Sequence, residues 1–359
     1  MAMRACGAEP LPTACVIRRP TIRNGEESIV CSTALLHSCF ISADFSRDAA
    51  SAAHILSTIG IVPLQTIGID REETHMEIRQ SMVTTLGFDT FFHACGAADA
   101  PPVLLLHGSG PGANAISNWQ FALPFLGEHY HCLAPDIAGF GQSPHHTPPL
   151  GAAAWIDAWV AQIIAFLDAL HIDKAHLVGN SMGGGVSLHL LHRHPERFAK
   201  VVLMGAVGAP FRATEGLRRG WGYYNTGTKE ELAFLVRKFL YNPDVLGGDV
   251  DAIAANRYQF VMQDAVRRQF EAMFPGDTQT HIDAFVLRPE DLRNISHPVL
   301  ATHGREDFFI PLANSYYMME HLPNAQLHVF SHCGHWIQIE QRRAFNHLVK
   351  AFFDGDLGP

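Results

Sequence analysis

Leu177-Val178-Gly179-Asn180-Ser181-Met182-Gly183-Gly184-Gly185 is the stretch that decides the fold. An apolar run, 175–178, leads into Gly-x-Ser-x-Gly; small residues follow, and 186–194 has the texture of a helix. Strand, strained turn and helix in that order make a nucleophile elbow, which pushes a serine hydroxyl out at the top of a sheet. The glycines beside Ser181 allow two backbones to approach where a Cβ would clash.

Working outward, short apolar strands are expected at 78–86 and 88–94 (around Gly87), 103–106, 131–134, 175–178, 200–204, 298–302 and 326–330. Helices are expected at 118–126, 155–170, 182–194, 312–321 and 339–353. Such alternation indicates an α/β fold: a mostly parallel eight-stranded sheet flanked by helices. Between Gly205 and Pro298 the rhythm breaks. There 216–241 and 250–274 read as helices, an insertion that forms a lid over the carboxyl edge of the sheet, where open α/β sheets bind ligands. The expected organisation is an N-terminal extension over 1–75, an α/β core over 76–208 and 290–359, and a helical lid over 209–289. The extension has no clean period and no compact apolar core of a secretory signal, and Met76 is an alternative natural start.

A serine hydroxyl is a poor nucleophile near neutral pH; it needs an adjacent base, oriented by a carboxylate. In this fold the chain order is Ser, acid, His. His303-Gly304-Arg305-Glu306-Asp307 closes the strand at 298–302 and puts Asp307 where the acid belongs, with Glu306 and Asp136 as competitors. Ser331-His332-Cys333-Gly334-His335-Trp336 follows the last strand; its Gly-His-Trp context favours His335 over His332 as the base. Acyl chemistry also requires an oxyanion hole. One donor is expected from the Met182 N–H and the other from the loop His107-Gly108-Ser109-Gly110-Pro111-Gly112.

Bulk properties exclude several alternatives. With 47% hydrophobic and 17% charged residues, the 359-residue chain suits a soluble globular enzyme. A formal net charge of -9 argues against nucleic acid as a partner. Seven cysteines without a C-x-x-C pair argue against a disulfide framework or zinc ribbon and fit a reducing cytoplasm. No uninterrupted apolar run reaches bilayer-spanning length. The pairs His189/His192 and His145/His146 are expected on helix surfaces or loops, not as metal ligands.

Several runs together resemble the meta-cleavage product hydrolases, α/β-hydrolase-fold enzymes of bacterial aromatic degradation. They are His107-Gly108-Ser109-Gly110-Pro111-Gly112-Ala113, Ser117-Asn118-Trp119, the Ser181 elbow, Gly304-Arg305-Glu306-Asp307, Leu327-His328-Val329-Phe330 and Cys333-Gly334-His335-Trp336. Thr214-Glu215-Gly216-Leu217 and Ala272-Met273-Phe274-Pro275 are most similar to the 2-hydroxymuconic semialdehyde hydrolase branch. The likeness covers about 76–355. It implies serine-dependent hydrolysis of a C–C bond in a 2-hydroxy-6-oxo-hexa-2,4-dienoate, with no metal or organic cofactor. It also implies a homodimer or a larger homo-oligomer. By the same resemblance Ser109 shares the oxyanion hole with Met182. Arg257 pairs with the substrate carboxylate and Asn118 lies near that end of the substrate. Trp336 lines the pocket, and Asn180, Gly108 and Gly110 complete the binding set. Asn114-Ala115-Ile116 departs from the family pattern, which has a tryptophan or a glycine-rich stretch there.

The nearest rival is another serine hydrolase of the same fold, a carboxylesterase, lactonase or perhydrolase, which would have no need of Arg257. Dehalogenase and epoxide hydrolase chemistry would require an aspartate at the position of Ser181. A non-catalytic ligand sensor would not need the full Ser, Asp and His set.

Overall fold

The computed structural model describes residues 76–85, 87–247 and 250–358. The expected extension over 1–75 lies outside the described residues.

Eight strands form one sheet: β1 (Arg79–Thr85), β2 (Phe88–Cys95), β3 (Pro102–Leu106), β4 (His131–Pro135), β5 (Ala175–Asn180), β6 (Phe198–Met204), β7 (Val299–Gly304) and β8 (Ala325–Phe330). Their spatial order is β1-β2-β4-β3-β5-β6-β7-β8. β2 runs antiparallel to β1 and to β4, and every other neighbouring pair is parallel. The central strands are short and almost wholly apolar because helices cover both faces. Val103, Leu104, Leu105 and Leu106 of β3 are completely buried.

β3 is the switch point of the sheet. The chain leaves β3 for β4 on one side and later returns to β5 on the other, with Leu106 in register with Gly179. The loops after β3 and β5 therefore diverge around a crevice at their carboxyl ends. The loops after β7 and β8 open at the same edge.

Helix boundaries differ from expectation where a local signal went unread. Helix formation begins at Ala115, not at 118, because Asn114 caps it: its side chain accepts from the Ser117 N–H while Ser117 Oγ engages the Asn114 backbone. That helix, Ala115–Trp119, is separate from Ala122–Gly127. The last helix is likewise two pieces, Ile337–Glu340 and Arg342–Asp354, parted at Gln341 with φ -117° and ψ 33°.

Helix Ala152–Ala169 is long and apolar enough, by length and composition, to cross a membrane. Asp157, Gln162 and Asp168 interrupt its apolar run. Here it is a core helix: Trp155, Trp159, Ile163 and Phe166 are buried in the main apolar cluster.

Between β6 and β7 the chain forms Glu215–Trp221, Lys229–Lys238, Val250–Val261, Asp264–Met273, Thr278–Phe285 and Pro289–Arg293. The expected helix at 250–274 divides at Gln263, whose ψ of 132° leaves helical geometry. Trp221 stacks on Phe274 with centroids 4.5 Å apart and planes 3° from parallel, so these short helices share an aromatic seam.

Candidate active site

Ser181 sits between β5 and helix Met182–Arg193 with φ 55° and ψ -115°. That conformation is strained for a residue with a side chain and persists only where its surroundings over-determine it. They do so here. The Ser181 N–H donates to the Met204 carbonyl at 2.8 Å, and its own carbonyl accepts from Gly185 (3.1 Å) and Val207 (3.2 Å). A Cβ on Gly179 would lie 2.6 Å from the Gly183 carbonyl oxygen, and one on Gly183 would lie 2.4 Å from that of Leu106. Only glycine fits at either place.

Met182 is the first residue of its helix and fully buried. Its N–H is one of the four at a helix start that have no intrahelical acceptor. On the facing side, the loop after β3 is fixed by His107. The Ile137 N–H donates to His107 Nε2 at 2.9 Å, and Nδ1 donates to the Gly108 carbonyl at 2.8 Å. Burial pushes the His107 pKa down to about 4, so the ring is neutral and holds a single tautomer. The Gly108 N–H donates to Asn118 Oδ1 at 3.1 Å, and Trp221 Nε1 donates to Ser109 Oγ at 2.7 Å.

His335 Nδ1 lies 2.6 Å from Asp307 Oδ2, with both side chains almost wholly buried. The other carboxylate oxygen of Asp307 accepts from the Phe309 N–H (2.8 Å) and the Ile310 N–H (3.0 Å). Burial works to raise the Asp307 pKa. The charge and hydrogen bond of His335, aided by His303 and Ile310, outweigh it and hold the group below the ordinary carboxylate range. An ionised Asp307 at Nδ1 leaves His335 Nε2 as the nitrogen available to accept a proton. No hydrogen bond joins His335 to Ser181 in this conformation; such contacts often close only when substrate is bound.

Ser181 and His335 line one pocket with about 550 Å³ of empty space, open solvent at its mouth included. Gly108, Ser109, Gly110, Asn118, Asn180, Arg257 and Trp336 line the same pocket. Asp307 is behind His335, and Met182 reaches the elbow through its backbone. Arg257 is 8% exposed, and no carboxylate pairs with it among the described residues. Its Nε has no acceptor, and its guanidinium carbon is 5.9 Å from the Trp336 ring centroid. Burial lowers its pKa to about 10, which leaves it charged near neutrality.

The competing residues have other tasks. Asp136 accepts from the N–H groups of Ala115 and Gln142, both at 2.8 Å, and organises the turn after β4. Glu306 accepts from the Cys333 N–H at 3.0 Å and pairs with Arg305. His332, at φ 52°, packs near Tyr241. One expectation fails: His189 is not on a helix surface. It is buried, with Nε2 3.3 Å from the Phe285 carbonyl. Among the described residues no cluster of three or more His, Cys, Asp or Glu side chains could hold a metal ion.

A family model for the alpha/beta hydrolase fold matches residues 101–341. The 2-hydroxy-6-oxo-2,4-heptadienoate hydrolase of Pseudomonas putida is 40% identical over 273 residues, 76% of this chain and 95% of that enzyme. The 2-hydroxymuconate semialdehyde hydrolase of Pseudomonas sp. strain CF600 is also 40% identical, over 75% of this chain and 92% of that enzyme. Among solved structures, a serine hydrolase from the polyaromatic-hydrocarbon-degrading bacterium Cycloclasticus zankles is 61% identical with a TM-score of 0.77. That match covers 78% of this chain and 99% of the other. The meta-cleavage product hydrolase of Pseudomonas fluorescens IP01 is 39% identical with a TM-score of 0.71, over 81% and 98%. This chain belongs to the meta-cleavage product hydrolases of the α/β-hydrolase fold.

In this hydrolase the pocket contains residues that sequence reasoning missed. Leu217, Trp221, Phe239 and Phe309 line it, and Asn114 and Ser117 stand beside Asn118. The Asn114-Ala115-Ile116 departure thus supplies a helix cap and a polar wall. The capping pattern could have been found in sequence; the aromatic wall, which depends on stacking between distant segments, could not.

Proposed function

We propose that this hydrolase cleaves the C5–C6 bond of a 2-hydroxy-6-oxo-hexa-2,4-dienoate formed by ring cleavage of a catechol. The observation that carries this proposal is Arg257, a buried guanidinium with no carboxylate partner among the described residues, on the same pocket as Ser181 and His335. A desolvated cation without a counter-charge is costly unless a ligand supplies one. A planar guanidinium suits a carboxylate. A simple ester substrate gives it no such role.

The roles follow from that anchoring. The substrate carboxylate pairs with Arg257, and Asn118 and Asn180 border its oxygenated end. Ketonisation adds a proton at C5 and leaves a ketone at C2 conjugated with C3=C4. Ser181, deprotonated by His335 Nε2, adds to the C6 carbonyl, and the N–H groups of Met182 and Ser109 hold the developing oxyanion. Breaking C5–C6 yields an acyl-enzyme on Ser181 and a C5 carbanion delocalised onto the C2 oxygen. The imidazolium of His335 returns its proton, giving 2-hydroxypenta-2,4-dienoate. His335 then activates water, which releases the carboxylic acid from Ser181. Asp307 keeps the imidazole in the required tautomer and supports its charge. Gly108 and Gly110 let the loop after β3 approach the substrate, and Trp336 walls the pocket beside Arg257.

We read the helices within 209–289 as the lid, since Leu217, Trp221, Phe239 and Arg257 belong to them or to their connections. The cysteine pattern and the family resemblance support a cytoplasmic homodimer or larger homo-oligomer. The test is a rate panel of purified protein on 6-H, 6-methyl, 6-isopropyl and 6-phenyl dienoates, followed by loss of their yellow colour. Bleaching of at least one, with pentadienoate as product, is expected. Persistence of colour in all four alongside turnover of aryl esters would replace this function with a carboxylesterase or lactonase.

A further inference from the structure

We infer that Glu340 is a positioning residue whose carboxylate ties the lid to the loop that carries His335. The inference rests on the reading of His335 as the catalytic base and goes beyond it. Four consecutive N–H groups of that loop, from Cys333 to Trp336, find their acceptors outside the run. Cys333 donates to Glu306 Oε2 at 3.0 Å and Gly334 to Glu340 Oε2 at 2.6 Å. His335 and Trp336 both donate to the carbonyl of Phe239, at 2.8 and 3.1 Å. Phe239 directly follows lid helix Lys229–Lys238.

The other oxygen of Glu340 completes the tie. Oε1 accepts from the N–H groups of Tyr241 and Asn242, each at 2.8 Å. One carboxylate therefore spans two chain segments, the end of the lid helix and the residue before the base. Charge-assisted bonds to N–H are the strong kind. The segments also touch directly. A Cβ on Gly334 would lie 2.8 Å from the Phe239 carbonyl oxygen, and the Phe239 ring is sandwiched between Phe309 (4.1 Å) and Trp336 (4.5 Å). Ile339, beside Glu340, packs with Leu240 and Leu246. The lid thus sets the position of the base through backbone contacts, and the Glu340 carboxylate holds the two together.

Glutamine at 340 has one acceptor oxygen and one NH2 group. It can serve Gly334 or the Tyr241/Asn242 pair, but its NH2 then faces an N–H donor on the other side. The test compares Glu340→Gln with His335→Ala in the full chain, on the dienoate and on a fluorophosphonate that labels the active serine. A small misplacement of a catalytic group can cost roughly 100-fold in rate. Glu340→Gln is expected to lose on the order of 10- to 100-fold in kcat, with KM within about twofold and labelling slowed by a similar factor. Glu340→Asp, charged but one methylene short, is expected to lose activity in the same way. A wild-type kcat and labelling rate in both variants would overturn the inference, and so would a raised KM with kcat unchanged. Amide exchange on the unmodified protein adds a readout that no folding defect can confuse. Gly334, Tyr241 and Asn242 should be protected together; rapid exchange of Tyr241 and Asn242 beside a protected Gly334 would overturn the tie. If His335→Ala keeps its turnover, the assignment of the base fails instead, whatever Glu340 does.

Discussion

Asp307 presents one carboxylate oxygen to His335 Nδ1 at 2.6 Å and the other to two backbone N–H groups, those of Phe309 and Ile310. The carboxylate cannot rotate without breaking three bonds. The imidazole inherits that orientation, since its Nδ1–H has a fixed acceptor. Asp307→Asn keeps the shape but offers an amide in place of the accepting oxygen. In comparable serine triads this change costs roughly 10⁴ in kcat by imposing the wrong tautomer. A loss of about that size in dienoate bleaching is expected. Activity within about tenfold of wild type would show that Asp307 is not the orienting acid.

Arg257→Met removes the guanidinium and keeps the bulk of its stem. Hydrogen bonds to charged groups contribute about 1.5–3 kcal/mol, or roughly 10- to 150-fold in kcat/KM. The loss should be confined to dienoates. Hydrolysis of an uncharged aryl ester by the same variant should stay within about twofold of wild type. Equal losses on both substrates would mean that Arg257 shapes the pocket and does not bind a carboxylate.

Gly183→Ala places a methyl 2.4 Å from the Leu106 carbonyl oxygen and 2.6 Å from that of His107. Both neighbours are backbone and cannot swing aside. Overpacking of this kind costs about 1–3 kcal/mol, and the loop after β3 would be displaced with it. A lower melting temperature together with lost turnover is expected. A variant as stable and active as wild type would contradict the close packing at the elbow.

Acidification should destabilise the fold. Burial lowers the pKa of His93, His107 and His189 to about 4 each, from an ordinary value near 6.5. Their neutral forms contribute stability that is complete above about 6.5 and is lost as pH falls toward 4. At pH 5 each costs about 2 kcal/mol. Asp136 acts in the opposite sense. Burial raises it to about 6 against the N–H groups of Ala115 and Gln142, so it offsets part of the loss as pH falls from about 6 to 4. Three histidines outweigh one carboxyl. Thermal unfolding at pH 7.5 and pH 5 is the check, with a lower melting temperature expected at pH 5 and an unchanged or higher one contradicting the assignment.

Much of this was legible in the chain because local rules sufficed. Parallel strands buried on both faces read as short apolar runs, so β3 and β5 stood out, and Gly179-Asn180-Ser181-Met182-Gly183 could only be a turn. Chain order and loop context single out Asp307 and His335, whose side chains lie 2.6 Å apart in the structure. What escaped depends on contacts distant in sequence. His189 looks like a surface histidine until Phe285 is seen to cover it. Trp221 ends one short helix and Phe239 follows another, and only their stacking on Phe274, Phe309 and Trp336 turns them into a pocket wall. The break before Ala122 and the cap at Asn114 are local, and the Asn-x-x-Ser spacing of Asn114 and Ser117 marks the helix start in the sequence itself.

The most direct measurement is product analysis for Ser181→Ala beside wild type on a 6-methyl or 6-unsubstituted dienoate. Wild type should bleach the substrate and release equal amounts of 2-hydroxypenta-2,4-dienoate and the carboxylic acid, while Ser181→Ala binds the substrate and releases neither. Cleavage by Ser181→Ala at a rate near that of wild type would contradict a serine-dependent C–C hydrolase.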